Sequence, residues 1–275
     1  MPGRRRGRRD TCETVHEAQG AHAMSSVRGS DALAAGSPLP SHRLDVEGLV
    51  LRYGRAGFTL AVDRLALPAG VHFLVGRNGS GKSSLLRVLA GLERPQAGTL
   101  RLDGAEVVGA DAWRAYRAAS GYLHQDFAVR GRASVRAYAR YGAWLRGVAR
   151  DEVGSRADEV LDAVGLADRA ETRASRLSGG MQRRLGLAVE LANHPHVYLL
   201  DEPTSGLDFE ARDAVHDVVT TAVDSGAVVV VASHDDHELN RYPGATHHVL
   251  DAGRLVGSVT GDGAVTVQRL LGGVR

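Results

Sequence analysis

Residues 76–84 read Gly-Arg-Asn-Gly-Ser-Gly-Lys-Ser-Ser. Gly76, Gly81, Lys82 and Ser83 fall at the fixed positions of the spacing G-x-x-x-x-G-K-[ST]. Glycines at 76, 79 and 81 let the backbone fold into a concave nest of N–H groups, which suits an anion. Lys82 would reach the β- and γ-phosphates of a bound nucleotide as a point charge, and the Ser83 hydroxyl would hold Mg²⁺. Arg77, Asn78, Ser80 and Ser84 complete the loop and are candidate nucleotide contacts with it. Lys82 is also the chain's only lysine, so 33 of its 34 basic residues are arginine. A planar guanidinium is no substitute for a compact ammonium in a tightly wrapped phosphate site. A glycine-rich turn without a ligand is the plainer reading, and the flanking strand and helix argue against it.

Two more stretches carry chemistry. Val197-Tyr-Leu-Leu-Asp201-Glu202 is an apolar run emptying into two acids. Beside a phosphate loop, Asp201 would hold Mg²⁺ and Glu202 would polarise a water for in-line attack on the γ-phosphorus. Alone, the pair is an ordinary strand-ending turn. Leu177-Ser-Gly-Gly-Met-Gln182 opens a helix, where Ser178 either caps the helix or joins exposed N–H groups as a second anion site. A helix over 179–192 is about 20 Å long, so it holds Ser178 away from Asp201. Unless the strand doubles back beside it, Ser178 faces a phosphate bound to another chain.

Several elements must position these groups. Strands are expected over residues 44–52, 58–62, 71–75, 98–104, 121–124, 197–200 and 227–232. Helices are expected over residues 85–90, 134–146, 151–164, 179–192 and 210–223. Wholly apolar strands alternating with helices predict a mainly parallel sheet covered on both faces. Residues 126–176 hold helices without strands, which predicts an inserted helical subdomain. Residues 1–42, with Arg4, Arg5, Arg6, Arg8 and Arg9 followed by small and polar residues, predict a disordered basic tail. The folded domain is expected over 43–261, with a short extension at 262–275.

Gly76 to Ser83, Gln125, Leu177 to Gln182, Val197 to Pro203, Ser205-Gly-Leu-Asp208 and His234 occur in the order and spacing of ATP-binding-cassette (ABC) ATPases. The resemblance covers roughly residues 44–260. It implies an α/β phosphate-loop fold with an antiparallel β subdomain and an inserted helical subdomain. It further implies a head-to-tail dimer, of identical or paralogous cassettes, with two ATPs between the chains. Each phosphate loop would face the partner's segment carrying Ser178 and Gly180. On the same resemblance Tyr53 stacks on adenine, Gln125 contacts Mg²⁺ and the attacking water, Asp208 contacts the opposite subunit, and His234 hydrogen-bonds the γ-phosphate. Residues 126–148 and the short stretch after Gly261 resemble cassettes that energise export permeases for drugs, antibiotics or polysaccharides.

Bulk properties narrow the function. The net charge of +2 gives no basis for nucleic-acid binding, and the single cysteine, Cys12, allows no internal disulfide. The longest apolar run, 227–232, is far short of the ~20 residues that span a bilayer. Any membrane role must therefore come through a partner; the resemblance implies a separate permease, with this chain cytoplasmic and peripheral on the inner face. A second hypothesis is a soluble ABC ATPase acting on ribosomes or DNA, but those usually pair two cassettes in one chain or carry a long coiled coil. A phosphate-loop kinase or GTPase lacks support, because an Asn-Lys-x-Asp guanine motif needs another lysine and a kinase would leave Ser178 to Gln182 unexplained.

Overall fold

The computed structural model describes residues 41–54, 57–261 and 265–273. The expected tail through residue 40, and residues 262–264 and 274–275 of the expected C-terminal extension, lie outside them. Strands β1 (Arg43–Arg52) and β2 (Thr59–Pro68) bury alternate residues. Leu44, Val46, Leu49 and Leu51 face inward from β1, and Leu60, Val62, Leu65 and Leu67 from β2. That period of two marks a sheet with one wet face. Strand β3 (Gly70–Val75) instead is buried over its last four residues and delivers the chain into the phosphate loop.

Helix α1 (Lys82–Leu89) follows, burying Leu85, Leu86, Val88 and Leu89 beneath the sheet. Each such side chain contributes roughly 2 kcal/mol of burial, so the helix start that faces the loop is firmly seated. Next come β4 (Ala97–Leu102), β5 (Ala105–Glu106), α2 (Gly109–Ala118) and β6 (Ser120–Leu123). Helices α3 (Val135–Leu145) and α4 (Val153–Ala163) make up the helical insertion, and α5 (Gly179–Leu191) returns the chain to β7 (Val197–Asp201). The chain ends through α6 (Phe209–Asp224), β8 (Val228–Ala232), α7 (Asp236–Leu239), β9 (Thr246–Asp251), β10 (Arg254–Thr260) and α8 (Val267–Gly272).

The ten strands form one sheet in the order β5-β4-β1-β2-β10-β9-β3-β8-β7-β6. From β9 to β6 every neighbour is parallel. At the other end β5, β4, β1 and β2 pair antiparallel. Strand β10 joins the two halves, antiparallel to β9 and touching β2 through Arg254 and Ala61. In the parallel part, successive residues serve two cores. Phe73, Val75, Val229 and Val231 face the layer holding α3 to α6. Leu74, Val228, Val230 and Leu199 face α1 and the inner faces of β1 and β2. Double burial is why these strands read as unbroken apolar runs.

Candidate functional site

The tips of β3, β7 and β8 open into one cleft of about 640 Å³ beside α1. Asn78, Gly79, Gly81, Lys82, Ser83 and Ser84 form its loop wall. Gln125, Asp201, Glu202 and His234 approach from the ends of β6, β7 and β8. Tyr53 and Phe58 close the rim. Parallel pairing sets this convergence, with Asp201 level with Ala232 across β7 and β8. Ligands of open α/β sheets bind at such carboxyl ends.

The loop is shaped for an anion. Gly81 has φ of +107° and caps α1, and a Cβ there would lie 2.9 Å from the Phe58 ring. Only glycine fits that backbone. The Lys82 ammonium donates to the carbonyl oxygens of Gly76 (2.8 Å) and Arg77 (3.3 Å), so it folds back over its own loop. Burial lowers its pKa from the ordinary lysine value, opposed by the charges of Glu202 and Asp201. Gly76 and Arg77 thus serve through their carbonyls rather than by lining the cleft. Buried Ser80 keeps its hydroxyl oxygen unpaired among the described residues.

Asp201 is buried, and that burial raises its pKa; the Ser83 hydroxyl and the Lys82 charge oppose the shift. Ser83, Asp201 and nearby Gln125 are a hard-oxygen donor set, the kind that suits Mg²⁺. Glu202 stands in the left-handed region at φ +52°, an uncommon backbone for a non-glycine residue. Its Oε1 lies 2.7 Å from His234 Nδ1. Tyr53 donates its hydroxyl to Glu93, and its oxygen meets the Ser84 hydroxyl at 3.2 Å, which ties the rim ring to the phosphate loop.

Three expected site residues lie elsewhere. Ser178 is exposed at the start of α5, where its Oγ accepts from Met181 N at 3.3 Å. Gly180 approaches Leu207, to which a Cβ would come within 2.9 Å. Asp208 caps α6 by accepting from Ala211 N at 2.9 Å. None of the three lines the cleft. Sequence reading also missed two participants. The sequence pattern marks Phe58 only as a strand start, although an aromatic five residues after Tyr53 in a loop-flanked strand is a usable signal. Glu238 sits behind Glu202, buried against the hydroxyls of Thr204 and Ser233, and burial pushes its pKa up to about 7. No sequence signal marked it.

A separate cluster of His42, Asp103 and His196 is not built as a metal centre. Asp103 accepts Arg43 N–H at 2.8 Å on one oxygen and bonds His42 Nδ1 at 2.9 Å through the other. The two imidazoles lie parallel, 3.8 Å apart at 9°, so their lone pairs run side by side instead of converging. The cluster fastens the start of β1 to the edge of β7.

A strand-to-helix anion nest, a buried aspartate at the next strand tip and an acid beside it define a phosphate-loop nucleoside triphosphatase. Residues 64–205 match the family described as ABC transporter. The chain is 35% identical over 223 residues to the daunorubicin resistance ATP-binding protein DrrA3 of Streptomyces coeruleorubidus, covering 80% of this chain and 68% of that protein. It is 35% identical over 217 residues to the Fe(3+) ions import ATP-binding protein FbpC 3 of Rhodococcus jostii, covering 78% of this chain and 61% of that protein. For the methionine import ATP-binding protein MetN of Geobacillus kaustophilus the identity is 33%, over 73% of this chain and 60% of that protein. Against FbpC 3 and MetN, then, the chain spans less than two thirds of the relative's length. The chain belongs to the ABC transporter family, as an ATP-binding-cassette ATPase. Its fold matches a solved ATP-binding subunit of an ABC transporter at TM-score 0.70 and 23% identity, over 84% of this chain and 94% of that one. A dimeric ATP-binding cassette in a post-hydrolysis state with ADP and Pi matches at TM-score 0.68 and 22% identity, over 79% and 98%.

Proposed function

We propose that this chain hydrolyses MgATP within a closed dimer and drives a separately encoded membrane permease, in the direction of export. The observation that carries the chemistry is the gathering of Lys82, Asp201, Glu202 and His234 round one cleft. Phosphoryl transfer asks for positioning and charge neutralisation more than covalent chemistry. The loop N–H groups and Lys82 grip the terminal phosphates, and Tyr53 and Phe58 offer ring faces to the base. Mg²⁺ held by Ser83, Asp201 and Gln125 supplies neutralisation of phosphate charge. Glu202 orients and deprotonates the attacking water, while His234 keeps the carboxylate in place.

The dimer reading is supported by Ser178, Gly180 and Asp208, which are exposed or near the surface at helix starts away from their own cleft. They suit the nucleotide of a second copy or a paralogue. No helix among the described residues is long and apolar enough to cross a membrane; in this reading the chain works on a separate permease, peripheral on its cytoplasmic side. Export is favoured by the 126–148 segment and by the likeness to drug-resistance ATP-binding proteins, although import proteins match at equal identity. The test is co-expression with a candidate membrane permease. ATP-driven uptake of a drug-like substrate into inverted vesicles supports export, and uptake only into right-side-out vesicles overturns it.

A further inference from the structure

Two loops that meet at the cleft share one anchor on α5. Arg183 Nη1 donates to the carbonyl of Glu202 at 3.0 Å and to that of Ser205 at 2.6 Å, and Nη2 donates to the carbonyl of Gln125 at 2.6 Å. Among the described residues no other side chain bonds both the Gln125 segment and the Glu202–Ser205 turn. The turn needs help. Glu202 stands at φ +52°, and its closing bond from Ser205 N to Glu202 O is long at 3.3 Å. Nη1 bridges the two carbonyls at the ends of that turn. Five donors in a rigid fork make arginine able to hold three acceptors at once, which a lysine cannot do in one plane.

The rest of α5 reinforces the connection. Gln182 Oε1 accepts from Val129 N at 3.0 Å, and its amide donates back to Leu177 O at 3.0 Å. Gly186 lies so close to Phe127 that a Cβ would come within 2.8 Å of the ring. The segment carrying Gln125 therefore rides on α5, and the helix that begins with Ser178, Gly179 and Gly180 is mechanically joined to both water-handling residues. We infer that Arg183 is a positioning residue that fixes Gln125 and Glu202 relative to α5, so that engagement of the Ser178 end by a partner's nucleotide sets the geometry of this chain's own cleft. Arg183 does not line the cleft; it acts through three carbonyl oxygens. The inference deepens the dimer reading and rests on it for the source of the signal.

The experiment uses the full chain with R183A, R183Q and R183K, measuring ATP dissociation constant, kcat, KM and melting temperature. R183A and R183Q are expected to lower kcat about 30-fold, since small misplacement of a reacting group is costly. ATP affinity should stay within about threefold, the signature of an interaction used in turnover rather than in binding. R183K should recover only part of kcat. An unchanged kcat overturns the inference. So does a kcat loss that merely follows lost affinity and lost thermal stability. Failure of the dimer reading is seen separately: E202Q that stays monomeric with ATP defeats it, whereas the kcat-against-affinity split in the Arg183 variants reads the anchor directly.

Discussion

His234 and Glu202 form a hydrogen-bonded pair, Nδ1 to Oε1 at 2.7 Å, at the mouth of the cleft. Glu202 is nearly buried while His234 is largely exposed, with side-chain exposures of 11% and 63%. The carboxylate is thus fixed by the strand tip, and the imidazole leans in from the solvent side. With Nδ1 committed to Glu202, only Nε2 remains to meet a terminal phosphate. Under the proposed mechanism the pair acts as one device, with His234 orienting the base and meeting the phosphate.

E202Q keeps the shape of this pair but removes the base. ATP binding should persist while turnover falls by about 10²-fold or more, the usual worth of a general base. An ATP-bound dimer should accumulate, visible by light scattering. H234A should cost nearly as much, and the double variant little beyond either single one, because residues acting as a unit are not additive. Full additivity in kcat would show that the two act separately.

Lys82 holds its loop through Gly76 O and Arg77 O, both of which it must release or share when a triphosphate enters. K82A should weaken ATP binding about 100-fold, equivalent to the roughly 3 kcal/mol of one strong charge-assisted contact. K82R should fail almost as badly, because the guanidinium fork does not fit a site wrapped for an ammonium. Titration with a fluorescent ATP analogue separates this from a folding defect, which circular dichroism reports.

Ser178 caps α5 and lies outside its own cleft. S178A should cost about 1 kcal/mol in stability as a lost helix cap. S178R should leave ATP affinity of the monomer unchanged yet prevent dimer formation in an E202Q background. A fall in monomer affinity would place Ser178 in its own chain's site and end the sandwich reading.

The sequence exposed most of this site because its chemistry is concentrated in short, contiguous segments. The phosphate loop, the Val197–Glu202 strand and the Leu177–Gln182 helix start each carry their own flanking pattern, and the structure brings the first two into one cleft. Elements whose burial is slight or polar were harder to read. Helix α2 buries only Tyr116, so it lacks a strong apolar stripe. Strand β9 buries His247 and His248 where aliphatic residues would announce a strand, and β10 is mostly exposed. Arg183 and Glu238 are hidden for another reason: Arg183 bonds backbone carbonyls distant in sequence, and Glu238 packs against hydroxyls that no spacing pattern marks.

The buried histidine chain beneath the loop makes stability depend on acid. His72 Nε2 bonds Pro68 O at 2.7 Å, His72 Nδ1 meets His248 Nε2 at 3.2 Å, and His248 Nδ1 bonds Ser258 Oγ at 2.7 Å. Burial, then the neighbouring His72 and His247, pushes His248 down to about 3. His72 is lowered as well, mainly by burial. Native protein therefore binds fewer protons than the unfolded chain from about pH 6.5 downward, so stability falls as pH drops through that window. At pH 5 the cost from His248 is on the order of 2 kcal/mol. H248Q should flatten the slope of unfolding free energy between pH 6.5 and 5. Glu238 works oppositely. Its pKa is raised to about 7, so the native state keeps a proton that the unfolded chain has lost, and stability declines as pH rises from about 4.5 to 7. E238Q should remove that decline while leaving the acid slope of His248 in place. Urea melts of both variants across pH 5 to 8 would check the two slopes independently, and parallel curves for wild type and H248Q below pH 6.5 would refute the histidine account.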